Sequence, residues 1–170
     1  MPYNAKAVAN YFLDLAESKN EKLDLMKLQK LIYFAHGWNL AITGKPLITE
    51  SIQAWQYGPV VSSIYHEFKE FGNDPITKPA TDITIESVSP PKFCFVKPQI
   101  NDDFSKNLLN KIWGKYGKYS AIQLSNMTHQ PGTPWRNTWK EGIPKGTVIS
   151  DELIKNYFIS KVQEKKKTPA

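Results

Sequence analysis

Between Asp24 and Tyr65 the chain runs through one unbroken helical pattern, a Gly44-Lys45-Pro46 stop, a short aromatic strand and the tetrapeptide Tyr57-Gly58-Pro59-Val60. This block constrains the fold more than any other. Leu28, Leu31, Ile32, Ala35 and Trp38 recur at the three- and four-residue spacing of a buried helical stripe. Gly44 is a natural C-terminal stop, and Pro46 cannot continue the helix. Ile52, Ala54 and Gln56 alternate with Gln53, Trp55 and Tyr57 as a strand requires. Gly58 then frees the backbone to turn, and Pro59 is expected at the first position of a new helix, where no N–H partner is needed. That helix takes its apolar face from Val60, Val61, Ile64, Tyr65, Phe68 and Phe71, and Gly72-Asn73-Asp74-Pro75 ends it.

The remaining elements follow from caps and spacing. Asn4 caps a first helix carrying Val8, Phe12, Leu13 and Leu15, and Asn101 or Asp102 caps another running through Tyr116. Ser120-x-x-Gln123 is a capping box opening a helix with Ile122, Leu124 and Met127. Ser150 caps a last helix with Leu153, Ile154, Tyr157 and Phe158. Ile76 to Ile100, rich in proline, reads as a loop with one or two short strands around Ile83-Thr84-Ile85, and Gly132 to Gly142 reads as a loop carrying Trp135 and Trp139. The expected architecture is α+β and predominantly helical: a single compact domain of about six helices with a small short-stranded sheet. It is expected to span residues 1–160, with 161–170 a basic, disordered tail.

At 170 residues the chain can bury a core without a staple, and its one cysteine, Cys94, excludes an internal disulfide. Met1-Pro2-Tyr3-Asn4 lacks the basic and apolar regions of a signal peptide, and no apolar stretch is long enough to cross a bilayer, so a cytoplasmic protein without a membrane partner is expected. The net charge of +6 is unevenly placed. From residue 155 onward five lysines stand against Glu164, which leaves +4 there. Arg136 is the one arginine among 22 basic residues, although arginine is the preferred residue for bidentate base and phosphate contacts. The basic end therefore reads as a solvated helix terminus, and nucleic-acid binding is the lesser alternative.

Metal and cofactor chemistry is not expected. The three histidines, His36, His66 and His129, form no paired-ligand motif, and the nine glycines are isolated at element ends. A hydrolase assembled by the fold from His129, a carboxylate and a serine is a further alternative, since catalytic groups need not be neighbours in sequence.

Four stretches together resemble the SocA-like antitoxin family, also called the Panacea domain and found in proteins labelled phage-associated GepA-like. They are Lys27-Leu28-Gln29-Lys30-Leu31-Ile32-Tyr33-Phe34-Ala35-His36-Gly37-Trp38, Gly44-Lys45-Pro46-Leu47, Ala54-Trp55-Gln56-Tyr57-Gly58-Pro59-Val60, and Ser125-x-x-Thr128-His129 with Pro134-Trp135. They stand in the family's order and spacing, and the likeness covers roughly residues 4–158. One departure is His36, which stands where many members carry glutamine. The resemblance implies a non-enzymatic antitoxin of a type II toxin–antitoxin pair, binding the toxin protein encoded beside it. Some members instead deliver the toxin to a protease as adaptors. A homo-oligomer is compatible with either role.

On that reading the partner-binding candidates are Lys27, Lys30, Tyr33, His36, Trp55, Tyr57, Pro59, His129, Trp135 and Arg136, with Gly58, Pro59, Thr128 and Pro134 as structural motif residues. Large aromatics and arginine carry most interface energy, which favours Tyr57, Trp135 and Arg136. Each has an architectural alternative. Gly58 and Pro59 suit a turn, Tyr57 and Trp135 can fill a core, Arg136 can form a surface ion pair, and His129 can cap a helix end. Lys27 and Lys30, on the flank of the stripe, either reach solvent or meet an acidic partner.

Overall fold

The computed structural model describes residues 1–167. Its elements are α1 (Ala5–Ser18), α2 (Leu25–Thr43), β1 (Ile52–Trp55), β2 (Gly58–Val60), α3 (Ser62–Phe68) with a 3-10 turn (Lys69–Phe71), β3 (Asp82–Val88), β4 (Pro91–Val96), α4 (Asp103–Tyr116), α5 (Ala121–Thr128), α6 (Pro134–Thr138), β5 (Val148–Ile149) and α7 (Asp151–Lys167). The caps lie where the side-chain chemistry demands them. Asn4 accepts from Lys6 N, Asp24 from Lys27 N and Asp102 from Ser105 N, and Ser120 with Gln123 forms the capping box. Gly44, at φ 73°, closes α2 by donating its N–H to Leu40 O.

The fold is organised around α2. It touches α1, α3, α4, α5, α7 and β2, and it is buried continuously from Leu28 to Gly37. A helix covered on all sides has no solvent face. Its polar residues Gln29, Lys30 and His36 are therefore interior, which corrects the expectation that Lys30 flanks an exposed edge. A Cβ on Gly37 would lie 2.1 Å from the Phe158 ring, so glycine is what lets α7 pack this closely.

Three other expectations are corrected. Pro59 does not open a helix: β1 and β2 form a tight antiparallel hairpin in which Ala54 pairs with Pro59 and Trp55 with Gly58. The sheet order is β2-β1-β5, so β2 is an edge strand, where a residue without an N–H is tolerated. The helix starts later, at Ser62, and the buried amide of Gln29 brackets its entry by accepting from Val61 N at 2.9 Å and donating to Val61 O at 3.0 Å. The Gly/Pro-rich segment after α5 contains a seventh helix, α6, capped by Thr133 with Pro134 in its first turn. The last helix continues through 161–167, where a disordered tail is expected from sequence, and 168–170 lie outside the described residues.

The segment before α4 carries two short strands within a loop, as the sequence leads one to expect. β3 and β4 make a separate two-stranded antiparallel ribbon with a bulge between Ile85 and Ser87. Its base is clamped to α1. Buried Asn10 accepts from Ala80 N at 2.7 Å and donates to Ala80 O at 2.9 Å and Pro98 O at 3.0 Å, so one side chain holds the chain at both ends of the ribbon. Lys6 donates to Thr81 O and Asp82, and Lys97 pairs with Asp14.

Candidate functional site

The turn between β1 and β2 gathers most of the residues singled out by sequence. Its carbonyl groups point at side chains from the later helices. Trp135 Nε1 donates to Trp55 O at 2.6 Å, and Ser125 Oγ donates to Tyr57 O at 2.9 Å. Thr128 Oγ1 donates to Ser125 O and Thr133 Oγ1 to Thr128 O, both at 2.7 Å, which ties the end of α5 to the start of α6. The His129 and Trp135 rings stack at 3.8 Å and 7°, and Trp139 also stacks on Trp135, at 5.2 Å and 10°.

Gly58 is required twice at this turn. Its φ of 120° is one that L side chains rarely adopt, and a Cβ would sit 2.8 Å from Lys30 Cε and 3.0 Å from Thr128 Oγ1. The Ser125-x-x-Thr128-His129, Pro134-Trp135 and Tyr57-Gly58-Pro59 stretches are thus parts of one packed joint. Burial holds the His129 pKa below its ordinary value, the Tyr57 carbonyl opposes this, and the nearby Lys30 and Arg136 charges reinforce it. His129 Nε2 is buried and has no hydrogen-bond partner among the described residues.

The other candidates separate into two groups. Lys27 donates to Gly117 O at 2.5 Å and lies over the Trp113 ring, closing the C-terminal end of α4. Tyr33 and His36 face the α7 side. Tyr33 meets Phe158 edge-on, and His36 Nε2 bonds Asp151 Oδ1 at 2.8 Å at the first turn of α7. Tyr33, His36, Pro59 and Trp135 are buried, so none of them presents a surface to a partner in this conformation. Tyr57, 62% exposed at the turn tip, and the exposed Arg136 remain open, with Trp55 and His129 half-buried. Among the described residues Arg136 forms no ion pair.

The most exposed apolar surface lies elsewhere, on residues that sequence reasoning did not single out as a site. Ile83 pairs with Phe95 and Ile85 with Phe93, which puts all four on one face of the ribbon. They are 63%, 73%, 65% and 63% exposed in that order. The two alternations, Ile83-Thr84-Ile85 and Phe93-Cys94-Phe95, were the available signal. Among the described residues this is a contiguous exposed apolar face on a ribbon whose two outer edges are unpaired. Among the described residues no cluster of three or more His, Cys, Asp or Glu side chains could hold a metal ion, and no helix is long and apolar enough to cross a membrane.

The family model for the antitoxin SocA-like, Panacea domain matches residues 28–136. Antitoxin SocA of Caulobacter vibrioides (strain NA1000 / CB15N) is 34% identical over 163 residues, covering 91% of this chain and 82% of that protein. The chain belongs to the SocA-like antitoxin family. No solved structure matches it. The Panacea match begins inside α2 and ends in α6, so it encloses both the packed joint and the exposed ribbon.

Proposed function

We propose that this chain neutralises a toxin protein encoded beside it by direct stoichiometric binding, without chemistry on the toxin. Membership of an antitoxin family supports the general role. The observation that carries the binding mode is the apolar ribbon face of Ile83, Ile85, Phe93 and Phe95, held out from the body by the Asn10 and Lys6 clamps. Covering one such side chain completely contributes about 1.5–3 kcal/mol, so a partner that seats on this face gains a hot-spot cluster from four neighbouring residues. The free edges of β3 and β4 add backbone donors and acceptors to the same surface.

Co-expression with the toxin tests this. The wild-type chain should restore growth and co-elute with the toxin in fixed stoichiometry. The double variant Ile83→Lys/Phe95→Lys should remain folded and lose at least about 100-fold in affinity, because lysine on both strands of the face removes two anchors and desolvates poorly. Neutralisation at sub-stoichiometric antitoxin, or full rescue by the double variant, would contradict the proposal.

A further inference from the structure

Beside the packed joint lies a cavity of about 590 Å³ between α2, the β1–β2 hairpin, the turn after α3 and the segment before β5. Its walls are largely aromatic and aliphatic, including Trp55, Tyr65 and Trp139. Three lysines line it, Lys30 in the interior with Lys69 and Lys145 exposed, and no carboxylate lines it. Lys30 is the unusual member. It is 1% exposed, yet among the described residues its ammonium meets one acceptor, Pro59 O, at a long 3.4 Å. Buried lysines are normally paired with an acid, because an uncompensated charge in a low-dielectric site costs far more than a surface one. Burial holds its pKa down at about 8, so it still carries its charge at neutral pH.

We propose that this cavity receives an acidic side chain of the partner protein, its carboxylate pairing with Lys30 and its apolar neighbours packing on the aromatic walls. The inference rests on the protein-binding reading above and names the chemistry of a second contact. Charge complementarity supports this occupant: a carboxylate entering the cavity meets three cations and no like charge, and it supplies the partner that Lys30 lacks. The pair would form where water is largely excluded, which makes recognition of the acid strong relative to its neutral amide. Lys145, 5.0 Å from the Trp55 ring centroid, would help draw the acid in from the rim.

The probe is the tripeptide acetyl-Phe-Glu-Phe-amide, compared with acetyl-Phe-Gln-Phe-amide by tryptophan fluorescence and by chemical-shift perturbation. The Glu peptide should bind at least 10-fold more tightly than the Gln peptide and perturb Trp55 and Trp139. Lys30→Met should abolish that preference while keeping a cooperative melt. Lys69→Glu/Lys145→Glu, at exposed positions where folding is not at stake, should weaken Glu-peptide binding several-fold. Equal binding of the two peptides, no binding of either, or a preference that survives Lys30→Met would overturn the inference. The two proposals fail separately. If the toxin is bound and neutralised by Lys30→Met as well as by wild type, the cavity inference alone falls, whereas a toxin that never associates with the wild-type chain removes the protein-binding reading itself.

Discussion

The β1–β2 hairpin and the β3–β4 ribbon are both short antiparallel pairs, and they treat their side chains in opposite ways. At the first, carbonyls are taken up by Trp135 and Ser125, glycine is imposed by steric limits, and three rings stack in series. At the second, Ile83, Ile85, Phe93 and Phe95 pair only with one another across the strands and face solvent. The first holds one of the four family-like stretches and packs against two others, and the second holds none of them. A motif dense in aromatics, Gly and Pro can thus mark an internal joint, while the exposed apolar face sits on an alternation that reads from sequence only as a short strand.

The largest effect expected is at the joint. Trp135→Ala removes a buried indole, its hydrogen bond to Trp55 O and both stacking partners, and should cost about 3–5 kcal/mol in denaturant unfolding. The ribbon variant Ile83→Lys/Phe95→Lys should stay within about 0.5 kcal/mol of wild type in the same assay. If the two variants were equally destabilising, the distinction between scaffold and docking surface would collapse.

Asn10→Ala sharpens the comparison from the ribbon's side. It deletes three hydrogen bonds at the ribbon base and leaves buried backbone groups at Ala80 without a partner, a loss of about 2–3 kcal/mol. Amide exchange in β3 and β4 should rise in this variant well before exchange in α2 does. Uniform loss of protection across the chain would mean that the ribbon is not a separately clamped unit.

A smaller and pH-dependent effect comes from Lys30. Its folded-state pKa of about 8 lies below the ordinary lysine value of 10.5, so between those values the unfolded chain binds more protons than the folded one and stability rises with pH. Below pH 8 the cost of the buried charge is fully present. Relative to Lys30→Met, wild type should gain about 2 kcal/mol between pH 7 and 9.5. The subtraction matters, because the Lys115 pKa is also lowered, first by burial and then by Lys165 and Lys161, and contributes with the same sign in both proteins. Stopping at pH 9.5 limits ionisation of the tyrosines, among which Tyr33 and Tyr116 are pushed up by burial. A flat difference across that range would show that Lys30 is not a buried cation.

Much of the helical framework is legible in the sequence because caps act locally. Asn4, Asp24, Asp102, Ser120 and Ser150 all bond the backbone two or three residues ahead of them, and no tertiary context is needed to foresee that. Pro59 was ambiguous for a physical reason: a residue lacking an N–H suits a first helical turn and an edge strand equally. α6 is one short turn in a segment dense with Gly and Pro, too brief for any periodicity to emerge. Lys30 and His36 look like solvent-face residues until five helices and a strand surround α2, which no window of sequence displays. The ribbon inverts that problem. Alternation at Ile83 and Phe95 announces strands with one apolar face, and only the assembled fold reveals that none of the described residues covers it.

Hydroxyl-radical footprinting of the free protein and of its complex with the toxin tests docking on the ribbon face. Such docking requires that Ile83, Ile85, Phe93 and Phe95 react readily in the free chain and become strongly protected in the complex, while Trp135 stays unreactive in both. Ribbon side chains that stay as reactive in the complex as in the free protein would contradict it.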